Sequence, residues 1–141
     1  MSASRIPRRL RRQVIERAKG LCEYCKNQQE LLIEEFEVDH IYPEALGGPT
    51  TLENLALACP HCNSKKFTQI RRIDPLTGRR VALFNPRRQH WNRHFQWSNN
   101  LSEIIGKTSC GRATIEALQM NRPRIVRVRS LWRDLGLHPP T

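Results

Sequence analysis

Apolar residues recur along the first segment at the spacing of one helix face. Leu10, Val14 and Ala18 stand at i, i+4 and i+8, which predicts a helix over residues 7–19, stopped by Gly20. Between residues 31 and 41 the period shortens to two. Phe36, Val38 and His40 fall on one face of a predicted strand, Glu35, Glu37 and Asp39 on the other. Pro43 and the Gly47-Gly48-Pro49 cluster break regular structure. Residues 52–58 form a short apolar stretch able to pair back on that strand, and Pro60 suits the first turn of a helix running through Phe67.

Beyond residue 70 the pattern predicts a mainly helical α+β extension. Asp74-Pro75-Leu76-Thr77-Gly78 reads as a turn and residues 80–84 as a strand. Asn85-Pro86 is an N-cap with proline at the first helical position, opening a helix to about Phe95. Two more helices are expected over residues 108–121 and 123–135, the last stopped by Gly136. His90 and His94 stand four apart, as metal ligands on a helix can. Trp91 and Phe95 share that spacing and better define a packed face with the histidines beside it. The expected organisation is a basic N-terminal helix (1–20), a core (21–70) and a basic extension (71–141).

Charge alters this picture. The 141 residues carry 24 Lys and Arg against 13 Asp and Glu, a net +11 that is unevenly placed. Residues 1–20 hold seven bases and one acid, residues 21–66 three bases and eight acids, residues 67–141 fourteen bases and four acids. An acidic centre thus lies between basic flanks. Arginine supplies 19 of the cations, and its planar fork suits phosphate. A polyanion is the expected partner, nucleic acid ahead of a membrane surface because no long amphipathic apolar face accompanies the charge. No apolar run is long enough to span a bilayer. No apolar signal segment opens the chain, so the expected compartment is the cytoplasm.

Four of the five cysteines form two pairs of identical spacing, Cys22-Glu-Tyr-Cys25 and Cys59-Pro-His-Cys62. In a reducing compartment two such knuckles match a tetrahedral Zn²⁺ better than a disulfide framework. Four protein ligands leave no open position for water, so this zinc is expected to be structural. Cys110 is expected to be an ordinary buried thiol.

Between the knuckles stand Val38-Asp39-His40-Ile41-Tyr42-Pro43, Gly47-Gly48, Leu52-Glu53-Asn54-Leu55 and Cys59-Pro60-His61-Cys62-Asn63-Ser64-Lys65-Lys66. In order and spacing this stretch resembles the HNH endonuclease family in its zinc-knuckle form, over roughly residues 20–67. The resemblance implies an α+β chain built on a ββα-metal (His-Me finger) core, and metal-dependent hydrolysis of phosphodiester bonds in DNA, or RNA, to 5′-phosphate and 3′-hydroxyl ends. It implies His40 as general base, a role that an imidazole side chain suits. Asp39 is a hard oxygen ligand for Mg²⁺ or Mn²⁺. On an ideal pleat Asp39 points away from His40, so the strand is expected to end or bulge there. Asn54 matches the family residue that braces the loop and orients the histidine.

The family position after the last knuckle cysteine is usually His. Here it is Asn63, an H-N-N variant whose amide oxygen favours Mg²⁺ or Mn²⁺ over zinc as the catalytic ion. His61 is the alternative ligand, on another side of the helix. Lys65, Lys66, Arg71 and Arg72, with Tyr42, are the expected nucleic-acid contacts. Arg124, Arg127, Arg129 and Arg133 form a possible basic helical surface, and a solvated face explains them nearly as well. The competing function is a zinc-stabilised nucleic-acid-binding module without catalysis. Asp39 beside His40 argues against it, because binding alone needs no base next to a hard-metal ligand.

Overall fold

A computed structural model describes residues 6–141. Residues 1–5, which the expected N-terminal helix segment included, lie outside the described residues. The chain is a mixed α/β fold of short antiparallel strand pairs, and its contacts group it into two units. The first runs through Ile70 and takes in Asn85–Arg88; the second comprises Arg71–Phe84 and Gln89–Thr141.

In the first unit, α1 (Arg8–Ala18) ends where Lys19 and Gly20 turn left-handed, at φ 57° and 72°. Its apolar stripe buries Val14 completely, worth about 2 kcal/mol for a side chain of that size, and packs on β2 (Leu55–Ala58). Two of its arginines are structural. Arg11 donates to the Phe36 carbonyl, and Arg17 to the carbonyls of Leu52 and Leu55. Arg8, Arg9 and Arg12 stay exposed.

The expected long strand is four residues, β1 (Glu37–His40), because the preceding segment is held elsewhere. Gln29 binds back to the Gly20 carbonyl, and its side chain accepts from Phe36 N. β1 pairs with β2 antiparallel, Asp39 opposite Ala56 and His40 opposite Leu55. The ladder is regular, so the strand ends at His40 without a bulge. β2 is buried along its whole length and leads through Cys59 into α2 (Pro60–Lys66).

The second unit is less helical than the sequence predicts. Its hairpin β3 (Arg71–Ile73)–β4 (Arg80–Ala82) packs on α4 (Ser109–Leu118), which Thr108 caps through Gly111 N. Where a helix over 85–95 is expected, the Asn85 side chain accepts from Arg87 N and Arg88 N and makes a turn instead. Only α3 (Trp91–His94) is helical there. The chain then enters the hairpin β5 (Phe95–Trp97)–β6 (Ile104–Gly106). A final helix, α5 (Pro123–Asp134), follows.

Trp91 and Phe95 form the packed face expected of them, with ring centroids 5.1 Å apart, and Phe84 joins it at 5.2 Å from Phe95. His94 is buried against the Thr108 hydroxyl at 2.7 Å, whereas His90 is exposed. Arg129 is not a surface cation. It is fully buried and donates to the carbonyls of Ser102 and Met120 and to Asn121. Cys110 is half-buried beside Gln89. Among the described residues no helix is long and apolar enough to cross a membrane.

Candidate metal centre and catalytic site

The two knuckles converge because β2 carries the second and grips the first. Glu23 N donates to the Leu57 carbonyl, and the Glu23 carboxylate accepts from Leu57 N, each at 2.8 Å. Arg87 pairs with the other Glu23 oxygen. The first knuckle closes on itself through Lys26, left-handed at φ 68°, whose N–H donates to the Cys22 carbonyl.

Cys22, Cys25, Cys59 and Cys62 are all buried, with ligand atoms within 4.8 Å of one another. The Cys25 and Cys59 sulfurs stand 3.7 Å apart. Four sulfurs bound to one Zn²⁺ at about 2.3 Å would be roughly 3.8 Å apart, so the set fits a tetrahedral zinc. The N–H groups of Cys25 and Cys62 point at Cys22 and Cys59 Sγ, as thiolate charge requires. Without a cation the thiols compete. Contacts with Cys22 and the other sulfurs push Cys25 and Cys62 well up and hold Cys59 far down. The cluster is a zinc-binding arrangement, closed by four protein ligands.

Beside it lies an open cavity of about 570 Å³ lined by Glu37, Asp39, His40, Asn63, Glu44 and neighbours. Asp39 is 5 % exposed and accepts from Tyr24 Oη at 2.7 Å and from Lys66 Nζ at 3.2–3.3 Å. Burial pushes its carboxyl upward, against the pull of Lys66 and Tyr24. Tyr24, buried and facing that carboxylate, is pushed well above the usual phenol range.

His40, on the opposite pleat, holds Thr50 Oγ1 through Nε2 at 2.9 Å. The loop supplying Thr50 is braced by Asn54. Its amide donates to the carbonyls of Tyr42 at 3.0 Å and Pro49 at 2.9 Å and accepts from Tyr42 N at 2.9 Å. Gly48 lies so close to this brace that a Cβ would sit 1.8 Å from the Tyr42 carbonyl oxygen.

Two expectations change. Asn63 is tied to Glu37 rather than to Asp39, its amide donating to Glu37 Oε1 at 2.9 Å. Lys66 does not reach the surface for a phosphate. It is 2 % exposed, and its ammonium also donates to the carbonyls of His40 and Ile41, each at 3.0 Å. Lys65 and Tyr42 are exposed, His61 is half-buried, and Arg71 and Arg72 belong to the second unit. Sequence reasoning missed Glu37, Tyr24 and Thr50. Glu37 was findable, two residues before Asp39 on the same strand face.

A search of the curated proteins finds no match to this chain. Residues 22–69, the stretch that carries the four-cysteine cluster and the Asp39-His40 pair, match the family model for HNH endonuclease.

Proposed function

We propose that the chain is a metal-dependent HNH endonuclease that hydrolyses phosphodiester bonds in DNA, on a core in which β1, β2 and α2 form the family's ββα-metal unit. The observation that carries this reading is one open cavity lined both by His40 and by the oxygen-bearing side chains of Glu37, Asp39 and Asn63. The structural zinc, bound by Cys22, Cys25, Cys59 and Cys62, ties the first knuckle to the strand end and helix that shape this cavity.

His40 acts as general base. In the tautomer whose Nε2–H donates to Thr50, Nδ1 keeps a lone pair to accept a proton from the attacking water. Asn54 contributes indirectly, holding the loop that presents Thr50. Asp39, Asn63 and Glu37 fit a hard divalent cation, two carboxylates and an amide oxygen. Both Asp39 oxygens already accept hydrogen bonds, yet each carboxylate oxygen has a second lone pair. When bound, Mg²⁺ or Mn²⁺ supplies positive charge to the phosphoryl group and the departing 3′ oxygen. Lys65 and Tyr42 in the first unit, and Arg71 in the second, provide contacts to the polyanion; Arg72, expected among them, is half-buried on the side of its hairpin that packs on α4.

The test uses zinc-loaded protein freed of other divalent ions and incubated with supercoiled plasmid. Nicked or linear product with 5′-phosphate ends, formed on adding Mg²⁺ or Mn²⁺, supports the reading. Salt-sensitive binding with no cleavage under either ion leaves only the binding module.

A further inference from the structure

The first hairpin of the second unit has a face that nothing in that unit covers. Its inner side, with half-buried Arg72 and Val81, packs on α4. Its outer side presents Arg71 and Ile73 on β3 and Arg80 and Ala82 on β4, all exposed, with Ile73 paired across from Arg80 and Arg71 from Ala82. Exposed Arg79 and Leu76, 71 % exposed, extend this surface into the turn.

The hairpin's one acid is withdrawn from that surface. Asp74 is fully buried, and its carboxylate takes both Arg112 Nε and Nη2 at 2.9 Å, the Thr77 hydroxyl at 2.8 Å and Leu76 N at 3.1 Å. Gly78 N closes the turn on the Asp74 carbonyl, and Asp74 N on that of Arg79, each at 2.8 Å. The tip is therefore fixed, its negative charge is neutralised within the fold, and arginine alone supplies the outer charge.

We infer that the β3–β4 hairpin is a nucleic-acid-binding ribbon that lies in a groove of duplex DNA. A two-stranded ribbon fits the major groove in width. The guanidinium forks of Arg71, Arg79 and Arg80 match phosphate oxygens, and Ile73 and Leu76 between them offer apolar contact to base edges. An acidic protein would be drawn by the same charge. The absence of any outward-facing acid on the hairpin and its narrow two-stranded form, with a turn fixed by Asp74, favour the duplex. The inference rests on the reading of the chain as acting on nucleic acid.

The test is equilibrium binding of a labelled mixed-sequence duplex by the full chain in a His40→Ala background, without added divalent ions, over a range of salt. The log–log salt slope should fall by about 2.7 in Arg71→Ala/Arg79→Ala/Arg80→Ala, roughly 0.9 for each lost phosphate contact. The triple Lys variant should keep the slope, since Lys retains the charge. An Ala variant with an unchanged slope overturns the inference, as does wild-type chain that fails to bind duplex. So does a salt-dependent attachment to anionic vesicles that needs these arginines while duplex binding does not. Because no turnover is measured, ribbon-dependent binding with inactive plasmid assays removes only the nuclease reading. Cleavage with ribbon-independent binding removes only the ribbon.

Discussion

Replacing Lys66 by Met tests how the site is held. Lys66 and Asp39 are both almost completely buried, and the ammonium also satisfies the carbonyls of His40 and Ile41. Removing one partner of a buried ion pair costs about 3–5 kcal/mol, because the other charge remains in a poorly solvating site. Tyr24 still donates to Asp39 and the Met stem fills most of the Lys volume, so the lower end of that range, about 3 kcal/mol, is expected.

The assay is urea denaturation of zinc-loaded protein at neutral pH, with zinc release to a coloured chelator reporting on the first unit. Asp39→Asn in the Lys66→Met background removes the stranded charge. The pair should then show a coupling of about 2 kcal/mol in a double-mutant cycle. If Lys66→Met stays within about 1 kcal/mol of wild type, far below the cost of a broken buried pair, the Asp39–Lys66 account is wrong. So is it if the two effects simply add.

Other outcomes follow from the same geometry. Cys22→Ser should bind less than one zinc per chain by elemental analysis and lose secondary structure by circular dichroism; a zinc-replete, stable variant contradicts the ligand set. Gly48→Ala forces a Cβ onto the Tyr42 carbonyl and should cost about 1–3 kcal/mol, as overpacking does, while lowering cleavage through the displaced Thr50 loop; wild-type melting and cleavage would refute the close contact. The Arg112 fork holds the Asp74 carboxyl far below the usual carboxylate range. The folded state therefore binds fewer protons than the unfolded one, so this stabilisation is complete above about pH 4 and fades as pH falls below it. The melting-temperature gap between wild type and Asp74→Asn should accordingly shrink in acid; a constant gap would contradict the pairing.

What the sequence made legible was local. The knuckles announce themselves because two cysteines three apart form a loop that closes on itself, whatever surrounds it. α1, α4 and α5 keep their expected positions to within a few residues because caps and stops sit beside them in sequence, such as Thr108, Pro123 and Gly20. Tertiary partners were not legible. Lys66 reads as a surface cation until Asp39, 27 positions away, takes its charge into the interior. Arg129 is likewise absorbed by carbonyls from Ser102 and Met120.

Helix was over-assigned at 85–95, where the Asn85 side chain competes with the backbone for the N–H groups that a helix start leaves open. The β5–β6 hairpin went unseen because each strand is only three residues, too short for alternation to show. In the candidate site, His40, Asn54 and the cysteines came from the motif. The alignment of Asn63 on Glu37 came only from the fold of α2 against β1.

The role proposed for His40 is chemical rather than structural. The direct measurement is single-turnover cleavage of duplex DNA in Mg²⁺ or Mn²⁺ by wild type and His40→Ala, with binding followed in parallel. Equal affinity and zinc content are expected, with cleavage slower by about 10²–10⁴-fold in the variant, the usual contribution of a general base. Equal cleavage rates at equal affinity would contradict that role.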